Sequence, residues 1–158
     1  MYRVLFVCTG NICRSPMAHG LLAAYLRELG WQDQVGVDSA ATHGYRIDEP
    51  PDSSAVTVAA HHGIDIGSLR ARTLMHEDFF HADSIVAMDQ LNIQTLHARA
   101  PASQAHKIRL LLDFIGKASG GEIRDPYGGP LAEFETAFAL IDRGVTGLLQ
   151  ILRERALI

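Results

Sequence analysis

The chain has 158 residues, 47% of them hydrophobic and 20% charged, which predicts one soluble globular domain over residues 1–158. Its formal net charge is −4, from 14 Lys and Arg against 18 Asp and Glu, and the absence of a basic run argues against nucleic acid as a main partner. No apolar run approaches the ~20 residues of a membrane-spanning helix, and the N-terminal run is too short for a signal-peptide core, so we expect a cytoplasmic protein without a membrane span.

Strands and helices alternate in the first half of the chain. Val4–Val7 is a continuous apolar run of β-branched and aromatic residues, typical of a strand buried on both faces. A polar turn follows, and then a helix is predicted from Pro16 to a stop at Gly30. A second strand is predicted at Val35–Val37 and a second helix at Ser53–His62.

The same alternation continues in the second half. We predict a strand at Ser84–Met88, a helix from Asp89 to about Arg99, and a strand at Ile108–Leu112, where the leucines leave a helix open. The last segment shows the clearest helical spacing, carried by Phe134, Phe138, Ile141, Val145, Leu148 and Leu152. Gly144 and Gly147 each cost this helix roughly 1 kcal/mol relative to Ala, so tertiary packing must stabilise it. The alternation predicts a single-domain α/β fold with a parallel sheet and helices on both faces.

The segment CTGNICRSP, from Cys8 to Pro16, carries the functional hypothesis. It places a thiol at the carboxyl end of the first predicted strand and a helix start just after it, at the edge where open α/β sheets bind ligands. Gly10 and Asn11 suit a tight bend because both residue types accept positive φ. Converging N–H groups then form an anion-binding loop, which we assign to Thr9, Gly10, Asn11, Ile12, Cys13 and Ser15.

Arg14 and Cys8 supply the chemistry of this loop. Arg14 offers a planar fork that binds two phosphate oxygens at once. The N–H dipoles, the helix N-terminus and Arg14 all favour the thiolate form of Cys8, so the loop indicates nucleophilic displacement at phosphorus. Two other loop types do not fit, since no G-x-x-x-x-G-K sequence follows the strand and four residues separate Cys8 from Cys13.

The stretch Cys8–Pro16 resembles the signature of the low-molecular-weight protein tyrosine phosphatases. Residues 38–45 (Asp-Ser-Ala-Ala-Thr-His-Gly-Tyr) and Asp125–Tyr127 are similar to two further stretches of that family, in the same order. The resemblance implies a four-stranded parallel sheet flanked by helices. It also implies an enzyme without metal or cofactor that hydrolyses phosphotyrosine and small aryl phosphates through a phosphocysteine intermediate.

The resemblance implies roles for residues outside the loop. Asp125 matches the family's general acid, which protonates the leaving oxygen and then activates water, although its sequence context alone would indicate only a turn. Tyr45 and Tyr127 match positions on the walls of the substrate cleft. Ser39, together with Asn11, resembles the residues that hold the loop by hydrogen bonds.

Four other positions are compared with the family in the same way. Ser15 resembles the hydroxyl that steadies the departing thiolate. Cys13 resembles a backup thiol that forms a disulfide with oxidised Cys8, and a packed structural cysteine is the alternative. Leu69 replaces a histidine that supports the loop asparagine in many members, and Gly128 replaces a second tyrosine of many animal members.

Eight histidines raise the question of a metal site. His61 and His62 are adjacent, so their side chains are expected to point about 100° apart on a helix. His76 and His81 do not form the pattern H-E-x-x-H, and no metal site is predicted. Asp89, at the end of a predicted strand, is interpreted as a helix cap or a structural partner.

Two other functions stay open from the sequence. A thioredoxin-coupled arsenate reductase shares this fold and loop but needs further cysteines, and the chain has none after Cys13. A silent phosphopeptide-binding module would use the same loop, but the presence of Cys8, Arg14 and Asp125 together favours turnover. Bacterial members of the family often oppose tyrosine kinases that control exported polysaccharide. The expected partner is therefore a phosphotyrosine-containing protein, with a bacterial tyrosine kinase as one candidate.

Overall fold

The sheet has four strands, which are β1 (Tyr2–Cys8), β2 (Val35–Ala41), β3 (Ser84–Ala87) and β4 (Ile108–Leu110). In this computed structural model, which describes residues 1–116 and 121–155, they lie in the order β2-β1-β3-β4 and every pairing is parallel. The predicted α/β fold with a four-stranded parallel sheet is confirmed. The predicted domain limits of 1–158 include residues 117–120 and 156–158, which lie outside the described residues.

Helices cover both faces of this sheet. They are α1 (Arg14–Leu29), α2 (Ser53–His61), α3 (Asp78–His81), α4 (Gln90–Arg99) and α5 (Leu131–Glu154), with two 3₁₀ helices at Ala102–Lys107 and Leu111–Ile115. Helices α1, α2 and α5 pack together, whereas α4 packs against β3 and β4. Within the part of the chain that the structure describes, no helix has both the length and the apolar character needed to cross a bilayer.

The side chains of β1 alternate between two hydrophobic cores. Val4 and Phe6 belong to the larger core, with α1, α2 and α5, and Leu5 and Val7 belong to the smaller core, with α3 and α4. A strand that buries both faces has no polar face, which is the reason for its continuous apolar run. β1 is one of the two central strands, so the residues after Cys8 emerge near the middle of the carboxyl edge of the sheet.

Several boundaries differ from the sequence prediction. β2 extends four residues beyond the predicted Val37, because it pairs with β1 along its whole length, up to the pair Cys8 and Ala41. The segment predicted as a strand at Ile108–Leu112, with a helix as the alternative, is a strand only over Ile108–Leu110. It continues as the 3₁₀ helix Leu111–Ile115, so each prediction holds for part of the segment.

The two glycines of α5 have a packing reason. A Cβ at Gly144 would lie 2.5 Å from Cγ of Leu111, and one at Gly147 would lie 2.6 Å from the carbonyl oxygen of Phe114. The 3₁₀ helix thus approaches α5 more closely than a side chain would permit. This contact supplies the tertiary packing that the helix was expected to need.

Candidate active site

Of the residues assigned to the anion-binding loop, residues 9–13 lie between the end of β1 and the start of α1, and Ser15 lies in the first turn of α1. Below, the loop denotes residues 9–13. Asn11 has a φ of 58°, in the left-handed region, which confirms its predicted place in the bend. Gly10 is not among the residues with positive φ, so that part of the prediction was wrong. A Cβ at Gly10 would meet only Cγ1 of Ile12, at 3.8 Å, and the structure does not explain this glycine.

The carbonyl groups of the loop are bound from outside it. The backbone N–H of Thr42 donates to the Cys8 carbonyl at 2.9 Å, and that of Asp52 donates to the Ile12 carbonyl at 2.8 Å. Among the described residues, the N–H groups of residues 9–13 have no protein acceptor. Five donors in one tight bend are left available, as an anion site requires.

Cys8 lies at the base of this loop. Its side chain is buried, with 2% exposed, and its Sγ lies 3.0 Å from Oγ of Ser15 in the first turn of α1. Nδ2 of Asn11 donates to the same hydroxyl at 2.7 Å. Because the Asn11 amide occupies one lone pair of Oγ, the hydroxyl proton of Ser15 is free to point at the sulfur.

The guanidinium of Arg14 is buried and held along one edge. Its Nη1 donates to Oδ2 of Asp89 at 2.6 Å and to the carbonyl of Ile123 at 2.8 Å. Burial alone would lower the pKa of Arg14, but the Cys8 sulfur and the carboxylates of Asp89 and Asp125 together raise it, so the group stays charged.

The other edge of the same guanidinium is only partly occupied. Nε of Arg14 is buried and has no hydrogen-bond partner among the described residues, and Nη2 lies 3.6 Å from Oδ2 of Asp125. Nε and Nη2 together form the fork that binds two oxygens of a phosphate. A buried unpaired donor is costly, and a bound oxyanion would satisfy it.

A cavity of about 400 Å³ joins these groups. It is lined by Cys8, Thr9, Gly10, Ile12, Cys13, Arg14, Tyr45, Arg46, Asp125 and Tyr127. Asp125 lies at the rim, with 47% of its side chain exposed, and its Oδ1 accepts the backbone N–H of Tyr127 at 3.2 Å. The turn that composition alone indicated is present, and it aims the other carboxylate oxygen at Arg14.

Arg46 is a cavity residue that the sequence analysis missed. Its Nη2 donates to the hydroxyl of Tyr127 at 2.5 Å, and its guanidinium carbon lies 5.6 Å from the centre of that ring. On the same side, the ring of His43 stacks on Tyr45 with 5.4 Å between the centroids. A single arginine in a loop has no sequence pattern, so only its position beside Tyr45 could have suggested it.

Three residues near the loop have partners that the structure identifies. Asp89 caps α4 by accepting the backbone N–H of Asn92 at 2.8 Å and also binds Arg14, so both of its suggested roles are confirmed. The hydroxyl of Ser39 lies 3.0 Å from Nδ1 of His19 on α1, and its predicted bond to the loop stays a prediction. Burial lowers the pKa of His19, which is therefore neutral near pH 7.

Cys13 is buried and free, as is Cys8. Burial raises the pKa of Cys13, and the charge of Asp52 adds to that effect, so Cys13 remains a thiol at neutral pH. Its side chain belongs to the larger hydrophobic core. The structure thus supplies packing for Cys13, and its disulfide with Cys8 stays a prediction.

The two adjacent histidines meet at one carboxylate. Nδ1 of His61 lies 3.2 Å from Oε1 of Glu135, and Nε2 of His62 lies 3.0 Å from Oε2. Helix α2 ends at His61, so the angle expected for two helical neighbours does not apply to His62, whose ring stacks on Phe138. Within residues 1–116 and 121–155, no group of three His, Cys, Asp or Glu side chains is placed to hold a metal ion.

Comparison with known proteins identifies relatives over the whole length of the chain. The family model described as low molecular weight phosphotyrosine protein phosphatase matches residues 3–157. A low molecular weight protein-tyrosine-phosphatase of Streptomyces coelicolor is 38% identical over 98% of this chain and 95% of its own length. A protein tyrosine phosphatase structure from Entamoeba histolytica superposes with a TM-score of 0.93 at 30% identity, and the match covers 99% of both chains.

A third relative acts on a different phosphorylated residue. The structure of the arginine phosphatase YwlE matches with a TM-score of 0.88 at 25% identity, over 99% of both chains. That structure is of a variant in which a cysteine is replaced by serine, and its active-site serine is phosphorylated. The fold therefore accommodates more than one kind of phosphoryl substrate.

Proposed function

The chain belongs to the low molecular weight phosphotyrosine protein phosphatase family, and we propose that it hydrolyses phosphotyrosine in proteins through a phosphocysteine intermediate on Cys8. Small aryl phosphates are substrates of the same site. The observation that carries the proposal is the arrangement around the loop. The Cys8 sulfur, four loop residues with available N–H groups and Arg14, whose Nε is unpaired, border one cavity, with Asp125 at its rim.

Binding places the phosphoryl group above the sulfur. Its oxygens accept the N–H groups of residues 9–13 and the fork of Nε and Nη2 of Arg14. Asp89 and the Ile123 carbonyl hold Nη1, so the fork is oriented before the substrate arrives and costs no reorganisation.

In the first step, the Cys8 thiolate attacks phosphorus and the bond to the aryl oxygen breaks. Asp125 donates its proton to that oxygen, because a phenolate is a poor leaving group at neutral pH. In the second step, water attacks the phosphocysteine and gives its proton to the Asp125 carboxylate. Inorganic phosphate forms, and the sulfur leaves as a thiolate. The Ser15 hydroxyl stabilises this thiolate by donating a hydrogen bond to it.

The cavity favours an aryl group over a guanidinium group. The aromatic rings of Tyr45 and Tyr127 and the aliphatic side chain of Ile12 line it, and they offer apolar walls to a phenyl ring. The guanidinium of Arg46 lines it as well and repels a second cationic group. We therefore expect phosphotyrosine to be preferred to phosphoarginine, although the relative YwlE is an arginine phosphatase.

Replacement of the sulfur tests the proposal directly. Cys8→Ser is expected to abolish turnover of p-nitrophenyl phosphate and of a phosphotyrosine peptide, while the melting temperature stays near that of the wild type. The control is Cys13→Ser, which changes the other cysteine of the loop and retains the nucleophile. Turnover by Cys8→Ser at a measurable fraction of the wild-type rate would refute the assignment.

Leaving-group dependence tests the role of Asp125. Asp125→Asn should slow aryl phosphates with poor leaving groups by about 100-fold or more, and those with good leaving groups much less, since only the former need a proton. The measurement is kcat/KM against leaving-group pKa for both proteins. Parallel plots of kcat/KM against leaving-group pKa for the two proteins would remove Asp125 from the acid role.

The preference for an aryl group has its own test. The wild-type protein should hydrolyse a phosphoarginine peptide more slowly than a phosphotyrosine peptide of equal sequence.

A further inference from the structure

A buried amide links helix α4 to the first residue of the anion-binding loop. Asn92 lies in the first turn of α4 with only 1% exposed, and its Nδ2 donates to Oγ1 of Thr9 at 3.2 Å. Its other polar atom, Oδ1, is buried without a hydrogen-bond partner among the described residues. The side chain therefore makes one polar contact and leaves one polar atom unpaired.

Packing alone does not account for an asparagine at this position. A buried carbonyl without a partner costs stability, because its hydrogen bonds to water are lost on folding and not replaced. A leucine has nearly the same branched shape and would fill the same space without that cost. The contact with Thr9 is thus the property that distinguishes the amide from a leucine.

Thr9 is held from two directions. It follows Cys8 directly and lines the cavity. Asn92 binds its side chain from α4, and the backbone N–H of His43 donates to its carbonyl at 3.0 Å from the end of β2. Fixing this residue fixes the first N–H group of the loop, and a donor that is fixed before binding loses less freedom when the oxyanion arrives.

We propose that Asn92 is a positioning residue, which acts through the Thr9 hydroxyl and holds the first turn of the anion-binding loop in the geometry that binds the phosphoryl group. Asn92 does not border the cavity, so it acts through Thr9 and not by touching the substrate. The inference rests on the function proposed above for this loop.

A double-mutant cycle tests the link. The variants are Thr9→Val, which keeps the shape and removes the hydroxyl, Asn92→Leu, and the two combined. Each single variant should lower kcat/KM for p-nitrophenyl phosphate about fivefold and weaken competitive inhibition by inorganic phosphate by a similar factor, as expected for one lost hydrogen bond. The double variant should lose about fivefold and not the product of the two effects, because both changes remove the same bond.

Stability separates positioning from a merely structural role. Asn92→Leu should keep or raise the melting temperature, since it removes an unpaired buried acceptor, while activity falls. Gln94→Leu, at an exposed position of the same helix, controls for the change to leucine and should leave activity and phosphate inhibition as in the wild type. Activity that falls only in proportion to the melting temperature would overturn the proposal, as would additive losses.

Two further comparisons keep the result decisive. Thr9→Ser retains a hydroxyl and should retain most of the activity that Thr9→Val loses, so equal activity of these two variants overturns the proposal even when Asn92→Leu does not fold. Cys8→Ser, assayed in parallel, separates this inference from the proposed function. If Cys8→Ser is inactive and the cycle is additive, only the role of Asn92 fails, whereas an active Cys8→Ser removes the function itself.

Discussion

The side-chain oxygen of Asn11 accepts a hydrogen bond from the backbone N–H of Arg72, 3.0 Å away and 61 residues later in the chain. The segment around Arg72 is itself fixed to the sheet, since the Arg72 carbonyl accepts the N–H of Ala41 at 2.8 Å. The guanidinium of Arg72 adds ion pairs of 3.0 Å with Asp78 and 2.9 Å with Asp38. The bend of the anion loop is therefore anchored to the end of β2.

This anchor bears on Leu69, which stands where the family resemblance implies a histidine that supports Asn11. Both polar ends of Asn11 are satisfied without it, the oxygen by Arg72 and the amide nitrogen by Ser15. A backbone donor does not depend on the type of side chain that carries it. Leu69 packs instead against the larger hydrophobic core. With leucine at position 69, the oxygen and the nitrogen of the Asn11 amide each still have a hydrogen-bond partner.

Substitution of Asn11 separates its backbone angle from its side-chain bonds. Asn11→Gly keeps the φ of 58° at no steric cost but loses both hydrogen bonds, and we expect kcat/KM to fall about tenfold. Asn11→Ala loses the same bonds and adds roughly 1 kcal/mol of backbone strain, so its activity and melting temperature should be lower than those of the glycine variant. An alanine variant equal to or better than the glycine variant would show that the left-handed angle is unimportant.

Removal of the charge of Asp89 tests the buried ion pair with Arg14. Asp89→Asn retains a good helix cap, so α4 should still begin at Gln90. The buried guanidinium loses its carboxylate partner, and the free energy of unfolding should fall by roughly 3 kcal/mol. Inorganic phosphate can replace the missing negative charge, so it should raise the melting temperature of Asp89→Asn more than that of the wild type.

Chemical denaturation measures the free energy of unfolding of Asp89→Asn, and thermal unfolding with and without phosphate measures its response to the anion. The matched control is Asp33→Asn, an exposed aspartate far along the chain, which should change neither the stability nor the response to phosphate. An equal response of all three proteins to phosphate would show that the charge of Asp89 does not influence how Arg14 binds the anion.

The buried thiol of Cys13 gives a pH dependence with a definite sign. Because burial raises its pKa, the folded chain keeps the thiol proton at pH values where the unfolded chain, with an ordinary thiol pKa of ~8.5, has lost it. The unfolded state then binds fewer protons, so stability is full below about pH 8.5 and falls as the pH rises above it. Cys13→Ala removes this contribution.

Thermal unfolding of both proteins between about pH 7 and 10 measures the effect. The wild type should lose stability more steeply than Cys13→Ala above about pH 8.5, and the extra slope should correspond to about one proton. Tyr2 and Tyr25, whose pKa values burial also raises, are present in both proteins and cancel in the difference. Curves that stay parallel up to pH 10 would mean that the Cys13 thiol ionises as easily in the folded chain as in the unfolded one.

The sequence predicts the parts of the structure that local patterns encode. The strand at Val4–Val7 was predicted because a strand buried on both faces needs a continuous apolar run. The helix end at Gly30 was predicted because its φ of 75° suits glycine. The loop pattern located Cys8 and Arg14, the family resemblance located Asp125, and the structure brings all three to one cavity. Their roles remain the proposal made above.

The parts that were not predicted depend on contacts between distant segments. Arg46 and Asn92 carry no local pattern, and each is distinguished only by a partner more than 80 positions away, Tyr127 and Thr9 respectively. The residues of β2 beyond Val37 are polar or small, so their strand character follows from pairing with β1 and not from propensity. These features are determined by tertiary contacts, which cannot be inferred from local patterns in a single sequence.

The close approach of the 3₁₀ helix to α5 can be tested with one added methyl group. Gly147→Ala gains about 1 kcal/mol in helix propensity, but its Cβ would lie 2.6 Å from the Phe114 carbonyl oxygen and 2.9 Å from Cγ2 of Ile115. A backbone carbonyl cannot move aside as the end of a flexible side chain can. The clash should therefore outweigh the gain, and we expect a net loss of about 1–3 kcal/mol and a lower melting temperature.

The neighbouring Thr146 supplies the matched control. Thr146 is exposed on the same turn of α5, and Thr146→Ala gains helix propensity without meeting the 3₁₀ helix, so its stability should be unchanged or higher. The two variants thus place the same residue type on adjacent positions with opposite expected signs. A Gly147→Ala variant as stable as Thr146→Ala would show that the 3₁₀ helix moves freely against α5, and the contact would then not be the packing that stabilises this helix.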